Sequence, residues 1–392
     1  MRDLRTRLAA LGTQQTAPTR GERAPVAAPT ACYVRETRAP LAAFEGLAQV
    51  RLEQLCRMDP AFGQQCEATP DVRRFLFLDT ETTGLGMGAG TVAFLLGLGW
   101  IEDDAFVVRQ ILMRDYPEEP LLLAQYASLL PRFEAVVSYN GKSFDLPLLE
   151  SRLTMHRMRE AAAHRPHLDL LYPTRRVWRM RLQDCTLGNI ERRILRCGRV
   201  DDLPGALVPE RFFSYLKTGD FSLLEDVLHH NLLDIQTLGR LLGHLARVFD
   251  QPEQQDFLED IFSTGRALSR AGEEEAARRC FAAAGQGAAL APQAHALLAH
   301  SHRREGAYEQ AEEVYRLMAE RGEGGIAPYV ELAKLAEHKR RDLRAALAHT
   351  EAAMARANLR ASLGRPEPEE ALAALHLRRA RLLRRLASKE KR

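Results

Sequence analysis

The segment "RFLFLDTET", ending at Thr82, sets the tightest limit on what this chain can become. Phe75, Leu76, Phe77 and Leu78 form a short continuous apolar run, as in a strand covered on both faces. Side chains alternate along a strand, so Asp79 and Glu81 leave it on one face, at its C-terminal end. Two carboxylates on one face repel each other unless a cation lies between them, and carboxylate oxygens suit hard divalent ions. Asp and Thr also end strands, and Thr-Gly pairs open turns. The pair therefore counts as half of a metal site only if further acids join it.

A length of 392 residues allows two or three domains. The 46% hydrophobic and 27% charged content is that of a soluble globular protein. A formal net charge of +3 does not announce a nucleic-acid binder, so any such role rests on a local basic surface. Six cysteines, none two residues from another, argue against a zinc site and a disulfide scaffold, and imply reduced thiols in the cytoplasm. No apolar stretch approaches the ~20 residues that span a bilayer, and the N-terminus lacks the apolar core of a secretory signal.

Residues 1–30 are expected to be a flexible N-terminal segment, because "ALGTQQTAPTRGERAPVAAPT" is rich in Ala, Pro, Thr and Gly without period. From Phe75 onward, "RFLFLDT", "TVAFLLGLGWI" and "AFVVRQILM" read as three strands in meander order, with "GLGMGAG" and "EDD" as turns. "EPLLLAQYASLLPRF" has helical spacing, "EAVVSYN" returns to strand, and "DLPLLESRLTMHRM" turns helical again. This order predicts an α/β domain over 31–248, a mixed sheet flanked by helices. Residues 255–392 lack strand signals and predict a second, all-α domain. There Ala277, Ala311 and Ala345 recur at 34 residues, as do Phe281, Tyr315 and His349, and Gly272 and Gly306. That interval is the tetratricopeptide period; chance alignment in an Ala-rich segment is the alternative, since His349 departs from the aromatic pattern.

Two more acids stand where a site could be completed. Asp145, in "VVSYNGKSFDLPLL", follows a strand and a turn, where it either caps a helix or turns a carboxylate to the first pair. Asp234, in "LLEDVLHHNLLDIQTLGRLLGHL", lies inside a strongly amphipathic helix. A carboxylate facing an apolar surface there is costly unless a charge meets it.

The order of these acids resembles the DEDD superfamily of nucleases with a ribonuclease-H-like fold. Five segments, "FLDTETTGLGMGAGTVAFLLGLG", "SYNGKSFDLPLLESR", "HLDLLYPTRRVWR", "RVDDLPGALVPERFFSYLKTGD" and "HHNLLDIQTL", look more closely like its YprB-type branch, roughly from Tyr33 to Leu245. The resemblance implies that Asp79, Glu81, Asp145 and Asp234 bind two Mg²⁺ or Mn²⁺ ions that clamp a phosphodiester. It also implies a residue that orients or deprotonates the attacking water, matched in position by His229 or His230. At about 100° per residue, position 230 lies near the face of Asp234 and position 229 points aside, so His230 is expected, with His229 the alternative base.

Thr83, with Thr82 and Gly84, would offer backbone donors to a substrate terminus, or simply form a turn. Asn140 and Lys142, beside Asp145, are expected to contact phosphate. Arg176 belongs to the run "PTRRVWRMRLQDCTLGNIERRILRCGR", which with Tyr172 and Trp178 is either a solvated face or a track for a phosphate backbone and its bases. Asp169 either supports the site or ends a strand, and the basic C-terminus either binds nucleic acid or keeps the tail soluble. The leading function is thus a metal-dependent nuclease, most simply a 3′–5′ exonuclease on single-stranded DNA or RNA. The alternatives are a tetratricopeptide interaction protein whose nuclease fold only binds nucleic acid, and a structure-selective endonuclease. A protein partner held by the repeats is allowed for, and no membrane.

Overall fold

The computed structural model describes residues 31–66, 70–84, 90–158, 165–199 and 203–390. The expected flexible segment 1–30 and the expected turn at 85–89 lie outside these residues. Six strands form one mixed sheet: β1 (Tyr33–Pro40), β2 (Phe75–Thr82), β3 (Ala93–Glu102), β4 (Ala105–Leu112), β5 (Ala135–Ser138) and β6 (His167–Asp169). Their spatial order is β1-β4-β3-β2-β5-β6. The pairs β1–β4, β4–β3 and β3–β2 are antiparallel, whereas β2–β5 and β5–β6 are parallel. The meander and the later strand are those the apolar runs predict. β1 was not foreseen: "YVRETRAP" alternates polar and half-buried positions at a sheet edge, so no apolar run marks it.

Phe75, Leu76, Phe77 and Leu78 are fully buried, and alternation divides them between two cores. Phe75 and Phe77 pack with Phe106, Ile235 and Leu238 on one face. Leu76 and Leu78 pack on the other with Leu122, Leu123, Leu149 and Leu153 of the helices Glu119–Leu129 and Asp145–Met155. Ile235 and Leu238 belong to the long helix Ser222–Asp250, whose apolar face lies on the sheet. By the same alternation Asp79 and Glu81 continue the face of Phe77, toward that helix.

Two glycines set how closely the helix lies. A Cβ on Gly97, directly opposite Asp79 in β3, would stand 2.4 Å from Asn231 Oδ1. A Cβ on Gly99 would stand 2.5 Å from Ile235 Cγ2. Glycine therefore lets Asn231 reach the strand end that carries the acids.

After Asp250 the chain is helical. Hairpins pair Leu258–Arg270 with Glu274–Ala284, Ala291–Arg304 with Tyr308–Arg321, and Ala327–His338 with Leu343–Ser362, before a last helix, Glu369–Glu390. Ala277 and Ala311 are fully buried, Phe281 and Tyr315 are buried, and Gly272 and Gly306 make the left-handed turns at φ +85° and +80°. The 34-residue interval slips by one in the third hairpin. Three residues join the first two helix pairs, but four, Lys339 to Asp342, join the third. Ala346 and Thr350 are buried there instead of Ala345 and His349. The first hairpin shares a core with the sheet domain: Ile261, Phe262 and Phe281 cluster with Trp178 and Phe249. Arg181 grips the buried Asp260 through two nitrogens at 2.7–3.0 Å.

Gly97→Ala should lower stability by about 1–3 kcal/mol, since the helix or Asn231 must give way. Gly188→Ala, with open space around its Cβ, should stay within about 0.5 kcal/mol of wild type. Urea unfolding of both variants checks this, and equal midpoints would mean that Gly97 does not set the helix–sheet distance.

Candidate metal centre

Asp79 lies at the end of β2 against the long helix, and its Oδ2 accepts from Asn231 Nδ2 at 2.9 Å. The orientation of that amide is decided from behind. Asn231 Oδ1 accepts from Gln110 Nε2 at 3.0 Å, and the same Gln110 nitrogen reaches the Leu228 carbonyl at 2.7 Å. Gln110 sits on β4 opposite Gly97, so β4, β3 and the helix together present one N–H to Asp79. That donor is not enough. Burial first, and then the charges of Asp234, Glu81 and Asp145, push the Asp79 carboxyl well above the usual aspartate range.

Glu81, His230 and Asp234 each bring one ligand atom within 4.8 Å of the others, a grouping that could hold a metal ion. His230 and Asp234 are one helical turn apart, with His230 Nε2 3.3 Å from Asp234 Oδ2. His229, on the next spoke, is exposed and faces away from this group. Asp145, first residue of its helix, stands slightly apart, where its Oδ1 accepts from Thr80 Oγ1 at 2.5 Å. Burial pushes its carboxyl up to about 6, although the Thr80 bond acts in the opposite direction. Asp234 is likewise raised by burial, against the pull of Arg199 and His230. The donor set is of carboxylate oxygens with one imidazole, and the cluster is destabilised by its own charge. Both properties fit a hard divalent cation.

The loop before Asp145 is organised by Asp169. This fully buried carboxylate accepts from the backbone N–H groups of Asn140 (2.7 Å), Lys142 (3.0 Å) and Leu171 (3.1 Å). Asn140 takes a left-handed conformation, φ +68°, which asparagine tolerates. Lys142 Nζ is 3.4 Å from Asp59 Oδ2 and 5.5 Å from the ring centre of Tyr172. It remains half exposed.

Other expected contacts are engaged elsewhere. The Thr83 N–H donates to the Val92 carbonyl at 2.9 Å, and Thr83 Oγ1 accepts from the Val92 N–H at 3.0 Å, closing the β2–β3 end. That backbone donor is thus taken. Arg176 Nη1 donates to the Met58 carbonyl at 2.5 Å, tying its helix to Leu52–Met58. Trp178 is 2% exposed and cannot stack on a base, because helix Leu171–Leu182 turns it into the core. In the C-terminal helix, Arg378, Arg381 and Arg385 converge on the buried Glu337 at 2.6–2.8 Å, a use of basic residues that the charge run alone does not reveal.

Sheet order, helix placement and acidic site together define a ribonuclease-H-like domain with a centre suited to divalent metal. A family model described as the RNase_H superfamily matches residues 76–246. The chain is 30% identical to "Uncharacterized protein YprB" of Bacillus subtilis (strain 168) over 382 residues, covering 91% of this chain and 87% of that protein. It belongs to the YprB family of RNase_H-superfamily proteins. Among solved structures, the family B DNA polymerase of the archaeon Pyrobaculum calidifontis matches at 16% identity and a TM-score of 0.36, over 55% of this chain and 30% of the polymerase. A likeness that loose carries no argument.

Asp79 has a folded pKa above its unfolded one, so its ionisation favours unfolding as the pH rises past the usual aspartate range. Asp79→Asn should therefore raise the melting temperature of the metal-free protein at pH 7.5, by about 2–4 °C for each kcal/mol relieved. It should also blunt the stabilisation that Mn²⁺ gives the wild type. Thermal melts with chelator and with Mn²⁺ check both expectations. A lower metal-free melting temperature for the variant would remove Asp79 as the focus of repulsion.

Proposed function

We propose that this protein is a metal-dependent nuclease that hydrolyses phosphodiester bonds in single-stranded DNA or RNA, working from the 3′ end. One observation carries the reading. Asp79 is surrounded by three further carboxylates, and among the described residues only an amide hydrogen bond meets it. Asp79, Glu81, Asp145 and Asp234 would hold two Mg²⁺ or Mn²⁺ ions, which when bound supply Lewis acidity and lower the pKa of coordinated water. Asn231 and Thr80 keep Asp79 and Asp145 in place. His230 stands beside Asp234, where it can meet a water or a phosphate oxygen. Lys142, half exposed and three residues before Asp145, would supply a cation to a phosphate, and Tyr172, 38% exposed beside it, a face for a base.

The nuclease domain in this proposal is 31–248 and the helical domain 255–392. The first hairpin also covers the nuclease core, and the later hairpins form a tetratricopeptide-like scaffold for a protein partner. The buried Ala277 and Ala311 with their aromatic neighbours support that scaffold. The six free cysteines support a cytoplasmic location.

Digestion of end-labelled and circular single- and double-stranded DNA and RNA with Mn²⁺ tests the activity. Stepwise shortening of linear single strands is expected, with circles intact; cleavage of circles would replace the exonuclease by an endonuclease. Asp79→Ala and Asp234→Ala should abolish cleavage, and full activity in either would end the assignment. His230→Ala should lower turnover by about 10²- to 10⁴-fold, and His229→Ala should change it little.

A further inference from the structure

A cleft of about 300 Å³ opens where the sheet domain meets the first helical hairpin, away from the metal centre. One wall is the π-helical turn Glu191–Leu195, which continues helix Leu187–Ile190 and closes at Arg196 with φ +54°. The turn faces two ways. Its buried Glu191 binds Arg199 at 2.6 and 2.7 Å and accepts from Thr237 Oγ1, which fastens the turn to the long helix. Arg193 and Arg196 instead stay exposed and line the cleft. His230, Thr237, His244 and Val248 fall at i, i+7, i+14 and i+18, so the cleft and the metal centre share one face of the long helix. Asp234 is ten residues from His244 and fourteen from Val248, which is ~15–21 Å along the helix axis.

Four arginines, Arg181, Arg193, Arg196 and Arg247, line this cleft against two aspartates, Asp256 and Asp260. Burial, with Arg247 adding to it, pushes His244 down to about 4, so its ring is neutral at pH 7 and the cleft's positive charge is that of its guanidinium groups. Their pairing sets this cleft apart from a seam that only joins two domains. Arg181 does the joining, with Nε and Nη2 on the buried Asp260, and its Nη1 has no hydrogen bond to a described residue. Arg193 has no acidic partner among the described residues. Arg196 meets Asp256 at 3.3 Å in a pair whose side chains are 79% and 72% exposed, and Arg247 pairs with Glu45 in the same exposed manner. Such pairs contribute little to stability, so a phosphate displaces them at small cost, and its oxygens suit the guanidinium fork. Beside them the Arg181 guanidinium lies 4.0 Å from the ring centre of Phe257, which is 46% exposed and offers a face to a base.

We propose that this cleft is a second nucleic-acid site, in which Arg193, Arg196 and Arg247 take backbone phosphates of a single strand whose end lies at the metal centre. This deepens the nuclease reading above and rests on it for the placement of that end. The ~15–21 Å between the two places is the span of about 4–6 nucleotides at ~3.4 Å each. The cleft therefore holds the strand several nucleotides from the bond being cut, and it acts on affinity. None of its residues touches the reacting atoms.

The test is fluorescence anisotropy on the full chain, with chelator and no metal, using end-labelled single strands of about 3 and about 12 nucleotides in DNA and RNA, lengths that fall short of and exceed the span above. Arg193→Gln/Arg196→Gln should weaken binding of the longer strand about 10-fold and lower the log–log salt slope by about 1.4, two contacts at ~0.7 each. Binding of the short strand should not change. Arg270→Gln/Arg321→Gln removes the same charge from exposed positions outside the cleft and should bind as wild type does. Adenosine triphosphate as competitor separates a strand from a free nucleotide. It should displace the longer strand only weakly; a loss in the cleft variant confined to adenosine triphosphate overturns the inference, as does an unchanged affinity for the longer strand. These titrations need no nuclease activity, so binding through the cleft without cleavage would count against the nuclease reading alone, and cleavage with unchanged affinity against the cleft alone. Where Mn²⁺-dependent cleavage is measurable, the cleft variant should raise KM for the longer strand about 10-fold with kcat little changed. A loss in kcat with KM unchanged would overturn the role in affinity.

Discussion

Electrostatic repulsion at the end of β2 is the constraint around which this structure is arranged. A lone carboxylate in a low-dielectric surrounding prefers to be protonated, and each like charge nearby strengthens that preference. The protein nevertheless gathers Glu81, Asp145 and Asp234 around Asp79, where β2 and two helices meet. The effect reaches outward through packing. Gly97 and Gly99 remove side chains from the strand beside β2 so that the helix can descend, and the descent carries Asn231 to Asp79 and Asp234 to Glu81. The apolar Ile235, Leu238 and Phe106 contribute the burial that holds the helix against that repulsion.

Much of this was legible in the chain because periodicity and chemistry pointed the same way. A buried strand that ends in Asp-x-Glu has few structural explanations, and the 3.6-residue repeat of the long helix distinguishes His230 from His229 before any coordinates are known. The supporting groups were not legible. Asn231, Gln110 and Thr80 act through contacts spanning 152, 121 and 65 residues of sequence, and no local pattern marks an amide or hydroxyl that will be called upon from so far away. Glu191 and Arg199 lay in plain view inside an arginine-rich run. Composition suggested a surface for nucleic acid or solvent, whereas the π-turn folds two of its members inward. The signal that could have separated them is Glu191, set directly before Arg192 and Arg193, an acid placed to anchor an arginine. β1 escaped notice for the opposite reason, since an edge strand dressed in charges has no apolar run to read.

The helical region shows the same limit. The small residues and aromatics that recur at 34 residues fall at buried positions in the first two hairpins, whose loops have one length. A single extra residue in the third loop moves the buried register from Ala345 to Ala346. A strict interval then marks the wrong positions even though the architecture continues. The shared core between the first hairpin and the sheet domain is also invisible to composition, because Ile261, Phe262 and Phe281 would look the same in a free-standing repeat.

A comparison among the chain's buried acids says most about the site. Glu119 is gripped by Arg152 at 2.5 Å and met by His156 at 2.9 Å. Glu118 takes Arg114, Asp260 takes Arg181, Glu191 takes Arg199, and Glu337 takes three arginines. In each case a guanidinium supplies both charge and directed donors, so burial of the carboxylate orients two elements instead of forcing them apart. These five acids are kept out of water by guanidinium groups, and the fully buried Asp169 by three backbone N–H groups. Asp79 is the departure. It lies closer to its own kind than those acids do, yet a neutral amide is what the fold directs at it. That arrangement suits a divalent cation. Arg199 comes to the same group from its other side, binding Asp234 and lying beside His230.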